Sequence, residues 1–353
     1  MREFVYEALP GRVVFGQGTI SELADVIDRV GGKRALLLST PPQAEQAMQA
    51  TRVAGDRIVG QFADATMHTP IEVTERALAA LHEAKADCVV SFGGGSTIGL
   101  GKALALRTDV PQVAIATTYA GSEMTPVLGE TDQGRKVTQR SLKVLPEAVI
   151  YDIDFTLDLP VAMSATSGLN AIAHAVEGLY AHDTNPVMRL FAEEAVRLLA
   201  SALPRIVESP RDVMARGEAL RGAWLCGMVL AATSMALHHK LCHTLGGAFN
   251  LPHAETHSVI LPHALAYNAP AVPEAMKSLE RALDASNPVG ALVDLARRIG
   301  APTALRDIGM PQSGIDLAAN EALANPYRNP RPIELEAIRG LIARAYAGEP
   351  PAA

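Results

Sequence analysis

The sequence predicts an α/β N-terminal domain with a mainly parallel, doubly wound sheet, followed by an all-α C-terminal domain. Three observations predict it. Over residues 1–159, short apolar or β-branched runs alternate with helical stretches, the order that builds parallel strands covered on both faces. Beyond Leu159-Pro160 the strand-like runs vanish, and Ala, Leu, Met and Glu recur with a 3.6-residue period. The 353 residues suffice for two domains, 1–159 and 160–353.

The elements follow in order. Arg12–Phe15 reads as a strand and Ile20–Arg29 as a helix. Ala35–Leu38, four consecutive apolar residues, reads as a buried strand, and Arg57–Phe62 as another. Ile71–Lys85 is a helix, with strands at Asp87–Phe92, Gln112–Ala116 and Ala148–Tyr151. In the second half, Leu169–Ala181, Val187–Leu203 and Ala219–Met235 carry helical periodicity. There are no internal repeats, only a short Gly/Pro/Ala tail at Ala347–Ala353.

With 48% hydrophobic and 20% charged residues, the composition is that of a soluble globular protein. A net charge of −7 argues against nucleic acid as a partner. No apolar run is long enough to span a bilayer, and the first residues lack a secretory pattern, so no membrane association and a cytoplasmic location are expected. The cysteines, Cys88, Cys226 and Cys242, are too few and scattered for a disulfide framework or a thiolate metal site. Cys242 lies among histidines, yet it reads first as a small, partly buried apolar residue on a helix.

The run Cys88–Phe92 leads directly into Gly93-Gly94-Gly95-Ser96-Thr97. A strand ends, three glycines turn the chain, and a helix begins. Glycines let backbone amides approach a ligand, and a helix N-terminus offers free N–H groups to a pyrophosphate. Ser96 and Thr97 can add hydroxyl contacts or cap the helix. Residues 1–159 are therefore expected to be the dinucleotide-binding domain. Downstream, Thr117, Thr118 and Ser122 follow a strand end, where a doubly wound sheet places cofactor contacts, although a capping turn fits them equally. After the first buried strand stand Ser39 and Thr40 instead of an acid. A carboxylate there would repel a 2′-phosphate; its absence predicts that both NADH and NADPH are accepted.

The second half concentrates histidines: eight of the ten fall between residues 174 and 263. Asn170 and His174 are spaced i, i+4, as are His239 and His243, so each pair shares a helix face. Such density points to a shared polar site. Imidazoles with one carboxylate normally suggest a divalent metal, but Asn170 supplies a neutral amide, a poor ligand for a hard cation. Glu177, one turn beyond His174, can face the site or solvent. Tyr327 and Arg331, in a Pro/Asn-rich segment, can contact substrate carboxylates or simply form a packed turn. Lys143 is a further cationic candidate, or a solvated surface charge.

These motifs resemble the iron-containing alcohol dehydrogenase superfamily over nearly the whole chain. Val14-Phe-Gly-Gln-Gly18, Gly93-Gly-Gly-Ser96, Thr117-Thr118, Gly121-Ser122, the histidines at 239, 243 and 253, and Leu261-Pro-His263 stand in the family's order. The resemblance implies that metal-binding members hold iron or zinc with an aspartate at the position of Asn170 and histidines at those of His174, His239 and His253. It places His243 near the nicotinamide as a non-ligand and matches Lys136 to a cofactor-contacting lysine. The run Thr166–Glu177, with asparagine for aspartate, looks like the maleylacetate reductase branch, as do Thr117–Pro126, Lys143–Pro146 and Asn325–Arg331. That branch implies reduction of the C=C bond of maleylacetate to 3-oxoadipate with NADH or NADPH in aromatic degradation, by a homodimer.

The chemistry is consistent with this. Maleylacetate is a small dicarboxylate carrying an enone, and hydride addition builds negative charge on its ketone oxygen, where a positioned donor lowers the barrier. The expectation is that no metal is bound, that His174, His239 and His253 receive the carboxylates, and that His243 is the acid. Two enzymatic rivals stand beside it: a metal-dependent alcohol or glycerol dehydrogenase, and a dehydroquinate-synthase-like lyase. A non-enzymatic small-molecule binding protein is the third.

Overall fold

The computed structural model describes residues 4, 6–9, 11–132, 135–324 and 327–352, except the side chains of 135 and 136. It divides into two compact units, Ala8–Leu159 and Pro160–Ala353, the latter also taking in Met1–Glu7.

Among its described residues the first unit contains eight strands: β1 (Arg12–Gly16), β2 (Ala35–Leu38), β3 (Ile58–Phe62), β4 (Cys88–Gly93), β5 (Gln112–Ala116), β6 (Val127–Asp132), β7 (Arg135–Arg140) and β8 (Ala148–Asp152). Its helices are α1 (Leu23–Arg29), α2 (Ala44–Ala54), α3 (Ile71–Glu83) and α4 (Gly95–Thr108). Six strands form one sheet in the order β1-β8-β5-β4-β2-β3, every pair parallel. Alternation of side chains along each strand divides the core in two. Leu37, Val90, Phe92, Val113, Ile115 and Ile150 pack with α1 and α2. Leu36, Leu38 and Val89 pack with α3 and α4 on the other face. This is the doubly wound arrangement expected.

Strand order reverses between β2 and β4, because β2 connects to β3 on one side while β4 lies on the other. In such sheets ligands bind beyond the carboxyl ends of the strands at that point. Ser39 and Gly93 stand at those two ends.

Two elements are not signalled by the sequence. Helix α2 buries only alanines, Ala47, Ala50 and Ala54, and so lacks a large-residue stripe. The antiparallel β6–β7 ribbon is mostly polar and lies outside the main sheet, so no apolar alternation marks it. The expected helix from Ile20 begins as a 3-10 turn, Thr19–Glu22, before α1.

The second unit is helical: α5 (Val161–Tyr180), α6 (Pro186–Glu208), α7 (Val213–Ala232), α8 (Leu237–Phe249), α9 (His253–Asn268), α10 (Pro273–Leu283), α11 (Pro288–Arg298), α12 (Ile315–Leu323) and α13 (Leu335–Ala347). Helix α5 is buried without interruption from Ser164 to Tyr180 and packs against α6, α7 and α9. A helix enclosed on all sides reads as apolar all round, apart from groups that pair inside the fold. No single described helix is long and apolar enough to cross a membrane.

Candidate active site

The glycine loop in the first unit is built by close approaches. Gly93 has φ +154°, and a Cβ there would lie 2.5 Å from Thr97 Oγ1 and 3.0 Å from Gln43 Oε1. A Cβ on Gly94 would lie 2.8 Å from Thr118 Oγ1. Gly95 is different: a Cβ on it would meet nothing within 4 Å. Neither backbone nor neighbours require glycine at 95, so what it preserves is open space at the N-terminus of α4. A phosphate group fits that cradle, since a helix start presents free N–H groups and partial positive charge.

The strand-end hydroxyls divide by burial. Ser39, Thr97 and Thr117 are buried, while Ser96 and Thr118 remain half-exposed. Thr97 does not cap α4; its N-cap is Gly94, without a side-chain bond. Thr117 Oγ1 accepts from Gln43 Nε2 at 2.8 Å, and Gln43 Oε1 accepts from Thr40 Oγ1 at 3.1 Å. Gln43 thus links the carboxyl ends of β2 and β5. Lys136 lies on β7, but its side chain lies outside the described residues. Lys143 sits on an exposed turn and pairs with Asp109 at 3.2 Å, the solvated-charge alternative.

A residue that sequence reasoning missed holds the second loop. Lys102, on α4, is fully buried and donates from Nζ to Ser122 O (2.6 Å), Thr125 O (2.8 Å), Thr125 Oγ1 (2.9 Å) and Val127 O (2.9 Å). Burial pushes its ammonium down to about 7, and the nearby Glu123 carboxylate pulls it back up. Glu123 is itself buried and accepts from Tyr151 OH at 2.7 Å. One signal was available: a lone lysine in the apolar run Gly99-Leu100-Gly101-Lys102-Ala103-Leu104. Ser122, half-exposed, is therefore tied to Lys102 through its backbone carbonyl.

In the helical unit, α5, α8 and α9 bring the histidines together. His174 Nδ1 and His239 Nε2 are 2.9 Å apart, and His239 Nδ1 is 2.6 Å from Glu177 Oε2. All three residues are buried. Glu177 also accepts from the backbone N–H groups of Ala236 (3.0 Å) and His238 (2.8 Å), which satisfies donors at the start of α8. The carboxylate absent from position 170 is thus supplied two turns on along α5. With the His239 proton on Nδ1, facing this carboxylate, His239 Nε2 accepts from His174 Nδ1.

This changes the expected anion receptor. His174 and His239 are joined to each other and to Glu177, an acid that the expected cluster of His174, His239 and His253 did not include. His253, at the first residue of α9, and His243, one turn beyond His239, are exposed. Their rings lie 4.3 Å from His257 and 6.1 Å from His239, respectively. His257 is the unforeseen hub, with ring centroids 4.8 Å from His238 and 5.0 Å from His239. Burial first, then neighbouring imidazoles, holds His238 and His257 well below the usual histidine range, hence neutral.

Asn170 is buried beside this chain, and its Oδ1 has no hydrogen-bond partner. Tyr327 is half-buried with Lys240 Nζ 5.7 Å from its ring centre. Arg331 donates to Tyr267 O at 3.0 Å and stacks 4.3 Å over the Tyr267 ring. Arg331 is thereby packed on α9.

Residues 10–153 match the iron-containing alcohol dehydrogenase family, and residues 164–346 match the C-terminal part of the Fe-containing alcohol dehydrogenase family. The chain belongs to the iron-containing alcohol dehydrogenase family. It is 55% identical over 349 residues to a maleylacetate reductase of Sphingobium indicum, covering 99% of each chain. It is also 55% identical over 351 residues to one of Burkholderia cepacia, covering 99% of this chain and 100% of that one. The crystal structure of maleylacetate reductase from Agrobacterium tumefaciens superimposes with a TM-score of 0.96 at 52% identity, covering 99% of this chain and 100% of that one. The protein is an oxidoreductase.

Membership raises the question of the family's ion. The four positions matched to its ligands carry an amide and three imidazoles, without a carboxylate. His174 and His239 turn nitrogens toward each other, and Glu177 is occupied by N–H donors. Without the anionic ligand, and with two of its imidazoles paired to each other, this set holds iron or zinc less well than the family's. A second group, His238, Cys242 and His257, brings one donor atom each within 4.8 Å of one another. Those donors pair internally, His238 Nε2 with His257 Nδ1 at 2.9 Å and with Cys242 Sγ at 3.7 Å. Burial raises the Cys242 thiol well above its usual range, so its neutral form is favoured. Cys242 is more deeply buried than expected and more polar in its contacts.

Proposed function

We propose that this protein reduces the C=C bond of maleylacetate to 3-oxoadipate with NADH or NADPH, without a bound metal. Full-length identity with curated maleylacetate reductases carries the substrate and reaction. The Glu177–His239–His174 chain beside Asn170 supports the metal-free part.

The reduced nicotinamide, when bound, supplies a hydride. In the substrate a C–H bond forms at the carbon β to the ketone, the π pair moves to the ketone oxygen, and a proton then adds at the α carbon. His243, exposed one turn beyond His239, is the donor to the developing oxyanion and the proton source. His253, exposed at the first residue of α9, receives a carboxylate. His174 Nε2 can take up a proton, because the resulting charge is shared along the hydrogen-bonded pair and balanced by Glu177. Gly95 and the start of α4 hold the pyrophosphate, with Ser96 and Thr118 as hydroxyl contacts. Since neither Ser39 nor Thr40 is acidic, no charge there repels a 2′-phosphate.

Adding maleylacetate to purified enzyme while following reduced-cofactor absorbance tests the reaction. Cofactor is expected to be oxidised in step with substrate, and no turnover would overturn the proposal. Metal analysis of protein purified without chelator tests the rest. Stoichiometric iron or zinc, lost together with activity, would refute the metal-free reading, and Cys242→Ser would show whether the ion sits in the thiol–imidazole group. NADPH efficiency below about a hundredth of that with NADH would sink the dual-cofactor part, because no carboxylate explains it. A homodimer, expected from the family resemblance, is checked by light scattering.

A further inference from the structure

At the far end of α5 from Asn170, the helical unit has a cavity of about 550 Å³. It is lined by the end of α5, the segment Ser234–Ala236, the start of α10 and the segment Tyr327–Pro330. The apolar part of the lining is Leu179, Tyr180, Met235, Val272, Pro273 and Tyr327, with Ser234 and Asn329 as neutral polar groups beside it. At the mouth stand two exposed guanidiniums, Arg189 and Arg328, neither with a side-chain partner among the described residues. His182 adds a third basic group, against one acid, Glu274. In a protein of net charge −7, two unpaired guanidiniums over an apolar cavity select an anion with an apolar body.

Two lining residues reach the candidate active site by hydrogen bonds. Ala236 N donates to Glu177 Oε2 at 3.0 Å, the oxygen that also holds His239 Nδ1. Asn329 Oδ1 accepts from Leu237 N, the first residue of α8, at 3.3 Å. An occupant pressing on Ser234–Ala236 or Asn329 therefore acts on the helix start that positions His239.

We propose that this cavity is a second ligand site for a small aromatic carboxylate, with the ring against Tyr180, Tyr327 and Met235 and the carboxylate between Arg189 and Arg328. The tyrosine rings offer edge and face contacts, and the methionine sulfur packs against aromatic rings. The guanidiniums supply charge-assisted hydrogen bonds. Occupancy changes turnover through α8 without competing with the reductase's substrate.

Isothermal titration calorimetry of the full chain with benzoate tests binding directly. One site per chain is expected, and the double variant Arg189→Ala/Arg328→Ala should bind about tenfold more weakly or worse. Both side chains are exposed and unpaired, so the variant is expected to fold, which circular dichroism checks. Inorganic phosphate, with charge but no ring, and benzyl alcohol, with ring but no charge, should each bind about tenfold more weakly than benzoate. No saturable heat, unchanged affinity in the double variant, or phosphate binding as tightly as benzoate overturns the proposal. In steady-state kinetics benzoate should alter kcat and leave KM for maleylacetate unchanged; pure competition overturns the coupling. Calorimetry needs no turnover, so its outcome is separate from whether the reductase reading holds.

Discussion

Replacing Glu177 by Gln changes one atom and one charge where α5 meets the start of α8. Glu177 Oε1 accepts from His238 N at 2.8 Å; Oε2 accepts from Ala236 N at 3.0 Å and His239 Nδ1 at 2.6 Å. A carboxamide has one acceptor oxygen. In one orientation its NH2 faces the N–H of His238; in the other it faces those of Ala236 and the His239 ring. Either way a buried donor faces a donor, at roughly 1–3 kcal/mol, and the charge-assisted bond to His239 is weakened by roughly 1.5–3 kcal/mol. The E177Q variant should therefore lose about 2.5–6 kcal/mol of stability. If the weakened bond matters most as His174–His239 takes up a proton, kcat should fall roughly ten- to hundredfold with little change in KM. Thermal melts and steady-state turnover with maleylacetate, read well below the melt, measure both. A folded E177Q enzyme with kcat within about twofold of the unchanged protein would refute the reasoning, because an anchor worth over 1 kcal/mol cannot vanish unnoticed.

Asn170→Asp restores the carboxylate at the position matched to the family's ligand. At about 5 Å from His174 and an effective dielectric near 20, that charge is worth roughly 3 kcal/mol, to be offset by a protonated histidine or a divalent ion. Raised zinc or iron content and lower maleylacetate turnover are expected by elemental analysis and kinetics; unchanged values for both would count against the role given to Asn170. Gly95→Ala should stabilise α4 by roughly 0.5–1 kcal/mol while raising KM for NADH, since its Cβ enters only open space. An unchanged KM would show that no ligand occupies the cradle. Acid should destabilise the helical unit. Burial first, with Arg344, pushes His263 down to about 4, so the unfolded chain takes up a proton near 6.5 while the folded one does not. Stability is full above 6.5 and falls by roughly 3 kcal/mol toward 4, with His238 and His257 adding in the same direction. A urea midpoint flat between those pH values would contradict it.

Much of this was legible beforehand, for identifiable reasons. Strands such as Ala35–Leu38 and Gln112–Ala116 are fully buried, so their apolar runs have no competing explanation. The glycine loop was readable because three adjacent glycines exceed what a turn needs. The β6–β7 ribbon was hidden because half-exposed polar strands carry little pattern.

The sequence alone determined the doubly wound sheet, the helical second half, the glycine loop after β4 and the histidine density, beside the motif resemblance that pointed to the family. These rest on periodicity, residue type and spacing, which are local in the chain. It could also count the imidazoles. It could not assign their protons, because those depend on what packs against them. Glu177 belongs to the site only because α8 begins against α5, presenting N–H groups some 59 to 62 residues away in the chain. Lys102 clamps a loop 20 to 25 residues downstream, and His257 becomes a hub only once α8 and α9 pack together. Helical spacing says which residues share a face; only the packed neighbours decide whether that face meets a carboxylate, a carbonyl or water, and hence which buried groups carry charge.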